Sequence, residues 1–161
     1  MEQFDVVVVG GGFSGSIAAI AAALCQAKTA IVEASACLGG SLTPNGVNPM
    51  MTFHAGEKQV IRGITEELIA RLKAQGKSPG HVRDPGHFTT TYTPFDAEAM
   101  KHELELMLLE AGGTVLYHAT LANVTRSDRK IDSITVCTRS GLMTLSANVF
   151  IDASGDAALA A

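Results

Sequence analysis

The hydrophobic and polar positions at the start of the chain predict a β-strand, a helix and a second strand. Asp5 to Val9 is almost entirely β-branched and ends at glycine, which is typical of a strand buried on both faces of a parallel sheet. Residues 15–26 are rich in small apolar side chains and predict a helix, and Thr29 to Glu33 forms a second apolar run. The short connections between these segments predict a right-handed βαβ unit.

Beyond this unit, irregular segments alternate with helical patterns. Residues 36–56 and 76–94 contain many glycines and prolines and show no clear period, which is typical of functional loops. Between these two segments, apolar residues recur at helical spacing up to about Gly76. These residues are Val60, Ile61, Ile64, Leu68 and Leu72.

A further helix is predicted to begin after Asp96, which occupies an N-cap position, and to end at Gly112 and Gly113. Its apolar stripe consists of Met100, Leu104, Met107, Leu108 and Ala111.

The last third of the chain predicts strands. Three short segments between residues 121 and 146 predict a small antiparallel meander. The alternation of buried runs and helical stripes predicts an α/β fold with a parallel central sheet. We expect its neighbouring strands to be, in order, residues 115–117, 29–33, 5–9 and 148–152.

Composition limits the classes of protein that fit. A chain of 161 residues with 47% hydrophobic and 17% charged residues predicts one globular domain spanning residues 1–161. The net charge of −4, without a Lys/Arg cluster, argues against nucleic acid or an anionic membrane as partner. The apolar run 17–32 is mostly alanine and is interrupted by Gln26 and Lys28, so we interpret it as buried structure and not as a membrane span.

The cysteines and histidines predict no metal site. Three widely spaced cysteines without a CxxC pair favour a reducing, cytoplasmic location over a disulfide framework or a zinc site. His81 and His87 share a segment, but no third ligand accompanies them.

The glycines after the first strand form the pattern Gly10-x-Gly12-x-x-Gly15 between a strand and a helix. In that setting Gly10 permits the tight turn, Gly12 lets a pyrophosphate approach the backbone, and Gly15 allows close packing of helix and strand. The phosphates then lie at the positive end of the helix, so no basic side chain is needed.

Glu33 ends the second strand, 23 residues after Gly10. A carboxylate there can accept hydrogen bonds from both hydroxyls of an adenosine ribose, and it disfavours the extra phosphate of NADP. The glycine motif and Glu33 together predict a dinucleotide site, but by themselves they leave FAD and NAD open.

Three segments carry a resemblance that distinguishes these cofactors: EASACLGGSLTPNGVNPMMTFHAG, TPFDAEAMKHELELMLLEAGG and VFIDASGDAALA. They resemble the N-terminal half of FAD-dependent oxidoreductases in the glutathione-reductase-like superfamily, in particular a bacterial group with an LGG loop and an IDATGD-type strand end. The resemblance implies a Rossmann-like FAD/NAD(P)-binding domain, FAD as cofactor and oxidoreductase activity in the complete protein.

The resemblance also implies where the cofactor is held. The second glycine pair with the serine after it lies on the flavin side of the pyrophosphate, the residue opening the meander offers its backbone to the adenine, and the turn after the last strand packs against the cofactor. The full predicted set is Gly10, Gly12, Phe13, Ser14, Gly15, Glu33, Ala34, Gly39, Gly40, Ser41, Leu121, Ala153, Gly155 and Asp156.

Departures from the family pattern limit the chemistry. Leu42 and Val47 stand where disulfide reductases of the superfamily carry their redox cysteines, which excludes a dithiol mechanism in this loop. His54 lies in the loop that family members fold against the flavin, where it can steer a proton or a substrate carboxylate. No catalytic residue is assigned from the sequence.

Relatives of this kind are considerably longer, so we expect the chain to be a fragment that is inactive alone. The expected partners are FAD and a C-terminal half or partner chain, and we expect the exposed interface to favour self-association. The alternative is a non-catalytic module that binds an adenine dinucleotide or packs against another protein.

Overall fold

The predicted βαβ unit forms the centre of the molecule. In the computed structural model, which describes residues 2–160, β1 (Glu2–Val9) leads into α1 (Phe13–Leu24) and then β2 (Thr29–Val32). The last three valines of β1 are buried, as expected for a strand covered on both faces. The predicted domain of residues 1–161 extends one residue beyond the described range at each end.

The remaining elements are short strands and two longer helices, followed by three long strands. In order, they are a 3-10 turn (Gly40–Leu42), β3 (Met50–Met51), β4 (His54–Ala55), β5 (Lys58–Gln59), α2 (Ile64–Ala74), β6 (Val82–Arg83), β7 (Thr91–Thr93), α3 (Ala97–Glu110), β8 (Thr114–Leu116), β9 (Thr120–Ser127), β10 (Lys130–Thr138) and β11 (Gly141–Asp152).

The main sheet has six strands in the order β8-β2-β1-β11-β10-β9. The first four are parallel neighbours, with Val8 of β1 opposite Ile31 of β2 on one side and Ile151 of β11 on the other. This confirms the α/β class and the predicted order of the parallel strands.

The meander is antiparallel as predicted, but its predicted end at residue 146 is wrong. Residues 142–146 and 148–152 belong to one unbroken strand, β11. Leu145 and Ser146 pair with β10 on one edge and with β1 on the other, so the meander is continuous with the main sheet. A single strand that changes neighbours along its length leaves no turn that a sequence pattern can mark.

Two hydrophobic clusters cover the two faces of the parallel strands. On one face the helices supply buried residues such as Ile20, Leu68 and Leu104. On the other face, Ile134 and Val136 of β10 join the inward side chains of β1 and β2. The sheet therefore lies between a helical layer and its own meander.

The two later helices differ in how well their starts were predicted. Asp96 caps α3 as expected, because its Oδ1 accepts from the backbone N–H groups of Glu98 (3.0 Å) and Ala99 (3.1 Å). Helix α2 begins only after Gly63, whose φ of 72° does not belong to a helix. Val60 and Ile61 precede this point and are 52% and 43% exposed, so their assignment to the helix was wrong.

The two segments predicted as irregular meet in a small sheet. Strands β3, β7 and β6 pair in that order, with Met50 opposite Thr93 and Val82 opposite Tyr92. Strands of two or three residues are too short to produce a period in the sequence. Within residues 2–160, none of the helices has the length and apolar character that a bilayer crossing requires.

Candidate functional site

Contacts between backbone atoms fix the turn from β1 into α1. Gly10 has φ of +101°, and a Cβ placed on it would lie 2.3 Å from the carbonyl oxygen of Ala153. A Cβ on Gly15 would lie 2.0 Å from the carbonyl oxygen of Gly10. The first turn of the helix therefore packs on the strand end as closely as only glycine allows.

Gly12, in contrast, borders open space, since a Cβ on it would meet nothing within 4 Å. It is the N-cap of α1, and among the described residues no side chain caps this helix and no acid lies in its first turn. The positive end of the helix is therefore open toward the space beside Gly12, which suits an anion.

The second glycine pair packs directly on this turn. The N–H of Gly39 donates to the carbonyl of Gly11 over 2.8 Å, and Gly12 and Gly39 form an isolated parallel bridge. A Cβ on Gly40 would lie 2.8 Å from the Cα of Gly12. Ser41 follows in the 3-10 turn and is exposed. Gly12 and Gly40 thus form one corner, which we call the glycine corner.

Glu33 connects the end of β2 to the glycine turn. Its Oε2 accepts from the backbone N–H of Gly11 and its Oε1 from that of Ser35, each over 2.6 Å. A Cβ on Gly11 would lie 2.8 Å from Oε2 and 2.7 Å from Leu38 Cδ2. Gly11 lies outside the spaced motif and was missed; the signal was a third consecutive glycine together with an acid at the end of the next strand.

A cavity of about 380 Å³, the Glu33 cavity, brings many of the predicted residues together. It is lined by Val9, Gly10, Val32, Glu33, Ala34, Ala119, Thr120, Leu121, Ser154, Asp156 and Ala158. The strand ends of β1 and β2 and the start of β9 therefore border the same space.

A second cavity, of about 810 Å³, lies along the outer face of α1, and we call it the α1 cavity. Its lining is mostly apolar and consists of Phe13, Ser14, Ile17, Ala18, Ala21, Leu42, Val47, Pro49, Met50, Met51, Thr52, Phe53, Ile61 and Thr65. Phe13 and Ser14 were predicted as site residues, but most of this wall was not. The sequence feature that could have indicated this wall is the presence of apolar side chains in segments that show no helical or strand period.

Asp152 holds the turn after the last strand, although no sequence pattern marked it as a site residue. It accepts from the hydroxyl of Ser154 over 2.6 Å and from the N–H groups of Leu159 (3.1 Å) and Ala160 (2.9 Å). These bonds, the Ser154 hydroxyl first, lower the pKa of Asp152. Asp156 and Gly155, which were selected, lie exposed in the turn.

His54 and His81 both contact threonines of strand β7. His54 Nδ1 is 3.1 Å from the hydroxyl of Thr91, and His81 lies between Glu66 and Thr93. His54 is absent from the linings of the Glu33 and α1 cavities as far as residues 2–160 are concerned. Across that same range, no three His, Cys, Asp or Glu side chains are grouped to hold a metal ion.

A glycine turn between a parallel strand and a helix N-terminus, with an acid at the end of the next strand, defines a Rossmann-like dinucleotide-binding domain. The sequence matches the FAD dependent oxidoreductase family over residues 5–161, and the chain belongs to this family. Membership implies FAD as the cofactor.

Curated relatives match only part of the chain. A soluble pyridine nucleotide transhydrogenase from Marinomonas sp. (strain MWYL1) is 40% identical over 68 residues, which are 42% of this chain and 15% of that protein. Its counterpart from Chromohalobacter salexigens is 37% identical over 69 residues, 43% of this chain and 15% of that protein. The chain therefore matches a minor share of the length of these relatives.

Solved structures resemble almost the whole chain. A geranylgeranyl bacteriochlorophyll reductase-like protein from Thermoplasma acidophilum has a TM-score of 0.66 at 22% identity, covering 95% of this chain and 39% of its own. L-proline dehydrogenase from P. horikoshii has a TM-score of 0.68 at 12% identity, covering 95% and 53%. At these identities the likeness shows the fold.

Proposed function

We propose that this chain is the FAD-binding portion of an oxidoreductase of the glutathione-reductase-like superfamily, with the diphosphate of FAD at the glycine corner. The observation that carries the proposal is the position of the two cavities on either side of this corner. Gly10 and Glu33 line the cavity before the corner, and Phe13 and Leu42 line the cavity after it. A ligand with its diphosphate at Gly12 reaches both cavities.

The Glu33 cavity takes the adenosine half. Each carboxylate oxygen of Glu33 already accepts one backbone N–H, and each keeps a lone pair for a ribose hydroxyl. The strand ends and Leu121 supply a wall for the adenine, and the turn at Ala153 supplies backbone atoms beside Gly10. This division of roles follows the family resemblance residue by residue.

The α1 cavity takes the isoalloxazine half. A flat, largely apolar ring gains affinity by burial against apolar side chains, and this cavity offers them next to the first turn of α1. Ser14, at the start of the helix, is a polar group at the rim.

The complete protein is then an oxidoreductase in which bound flavin accepts and returns electrons. Val47, Met51 and Ile61 at the α1 cavity are exposed, and large exposed apolar groups mark surfaces that bind another molecule. We propose that a C-terminal half or a partner chain covers these residues and encloses the flavin. Where they remain uncovered, they favour self-association of the chain. The 161-residue chain alone is inactive.

Titration of FAD into the purified chain tests the proposal, with bound flavin followed by its fluorescence and absorbance. We expect saturable binding to the unsubstituted chain and none to Gly12→Val, because the branched side chain fills the open space beside the helix end. Gly86→Val is the control, since Gly86 lies in an exposed turn and lines neither the Glu33 cavity nor the α1 cavity. Binding that survives Gly12→Val would contradict the proposed site.

A further inference from the structure

His81 is held by hydrogen bonds at both ring nitrogens. Its Nε2 lies 2.9 Å from Oε2 of Glu66 and its Nδ1 lies 2.8 Å from the hydroxyl oxygen of Thr93. The side chain of His81 is only 15% exposed, and Thr93 is completely buried. Burial of Thr93 therefore largely shields its contact with His81 from water.

The direction of these bonds follows from the groups involved. An ionised carboxylate only accepts, so Nε2 of His81 carries a proton and donates to Glu66. In the neutral ring Nδ1 is then the acceptor, and the hydroxyl of Thr93 donates to it. Glu66 also accepts from Nε2 of Gln59 over 2.5 Å, which orients the carboxylate.

The hydrogen-bond partners of His81 lie next to residues that line different parts of the α1 cavity. Glu66 is on α2 beside Thr65, which lines the cavity, and Thr93 pairs across β7 and β3 with Met50, which also lines it. The His81 ring itself packs on the ring of Phe53, another lining residue, with 4.3 Å between centroids. The imidazole thus contacts the lining residue Phe53, and its two hydrogen-bond partners adjoin the lining residues Thr65 and Met50.

We propose that His81 is a positioning residue for the isoalloxazine half of the ligand: by linking Glu66 to Thr93 it sets the spacing between α2 and the small sheet, and so the width of the α1 cavity. It does not touch the ligand. The inference rests on the proposed function, because it assumes that the ring enters this cavity. It adds a residue that neither the sequence motifs nor the cavity lining contains.

The test compares Thr93→Val with Thr29→Val in the 161-residue chain. Both replace a buried threonine on a strand by a side chain of similar size. The Thr29 hydroxyl donates to the carbonyl of Ala27 and Thr29 lines neither cavity, whereas the Thr93 hydroxyl contacts His81. Affinities for FAD and for ADP are measured by calorimetry. Thr93→Val leaves Nδ1 of His81 unpaired, and we expect FAD affinity to fall about tenfold.

ADP affinity, which depends on the other cavity, should stay unchanged in Thr93→Val. Thr93→Ser keeps the hydroxyl and should keep the FAD affinity of the unsubstituted chain, and Thr29→Val should keep both affinities within about twofold. His81→Phe, which keeps a ring on Phe53 but removes both hydrogen bonds, should resemble Thr93→Val.

An equal loss of ADP affinity in Thr93→Val would show a general folding role and overturn the inference. Unchanged FAD affinity in Thr93→Val would overturn it as well, while leaving the proposed function intact. If the unsubstituted chain binds neither FAD nor ADP, the proposed function itself fails, and the role of His81 fails with it.

Discussion

The two sides of the glycine corner are formed by different kinds of chemical group. On the Glu33 side, backbone atoms of regular strands and one carboxylate meet at short, fixed distances, such as 2.6 Å from Gly11 N to Glu33 Oε2. On the α1-cavity side, apolar side chains come from a helix face and from segments with little regular structure. On the first side, Gly10 and Gly15 leave no room for any other residue type, whereas the second side needs only apolar character and volume.

This difference predicts how each side responds to substitution. On the Glu33 side, the backbone contacts that stabilise the fold also shape the binding site. Most substitutions there should therefore change the stability of the chain and its affinity for the ligand together. Gly12 is the exception, since it borders open space. On the α1-cavity side, substitution of exposed residues such as Met51 should change the affinity for the ligand while leaving the stability of the fold unchanged.

The largest effect is expected from Gly15→Ala. Its Cβ would lie 2.0 Å from the carbonyl of Gly10, so helix and strand must separate, and we expect a loss of about 3 kcal/mol in the free energy of unfolding. Gly12→Ala, three positions earlier, is the control and should leave stability unchanged. Urea denaturation measures both; equal stability of the two variants would contradict the close contact at Gly15.

Glu33→Gln should have the next largest effect, on stability and affinity alike. An amide has one acceptor oxygen, so it cannot serve both Gly11 N and Ser35 N, and we expect losses of about 2 kcal/mol in stability and at least about tenfold in ADP affinity. Asp5→Asn is the matched control, because Asp5 accepts the N–H of Lys28 at an exposed position. A Glu33→Gln protein that loses ADP affinity without losing stability would contradict the inference that Glu33 both stabilises the glycine turn and binds the ligand.

Met51→Ser should weaken FAD binding alone. Met51 is 59% exposed, so the fold should tolerate the change, and the lost apolar contact should lower FAD affinity by about fivefold without affecting ADP. Leu142→Ser, at a residue that is 73% exposed in the meander, provides the control. Calorimetric titrations with both ligands measure the two affinities. A fall in ADP affinity would contradict the prediction that Met51 contacts only the isoalloxazine half of FAD.

The smallest effect concerns pH and the turn held by Asp152. Its pKa is lowered in the folded chain, so its contribution to stability is present above the pKa of the unfolded chain, near pH 4, and is lost as the pH falls below it. The lowered pKa values of Asp84 and Asp96 act in the same direction. Amide exchange should therefore show Leu159 and Ala160 losing protection in acid, and Asp152→Asn should remove that dependence locally; retained dependence at these amides would refute the assignment.

The same contrast explains what the sequence could predict. Gly10, Gly15 and Glu33 are marked by residue type and spacing, because each position admits few alternatives. The order of the parallel strands could also be predicted from the buried apolar segments, because the crossover connections between parallel strands are right-handed. Both sets of features depend on local chemistry that a single sequence carries.

What the sequence could not predict depends on tertiary contacts. Gly11 acquires its role only when Glu33 folds back on it, and β11 has no turn to mark the point where it changes neighbours. Val60 and Ile61 matched a helical period, yet Gly63 starts the helix later and leaves them exposed near the α1 cavity. The cavity wall gathers short segments whose pairing, such as Met50 with Thr93, spans more than forty residues.

The most direct test of the divided site is chemical-shift mapping on the isotope-labelled chain, first with ADP and then with FAD. We expect ADP to shift the amides of Gly10, Gly12 and Leu121 while leaving the α1 cavity unchanged. FAD should shift these amides and, in addition, those of Met50 and Phe53. The same shifts with both ligands, or shifts confined to residues away from the glycine corner, would contradict the account.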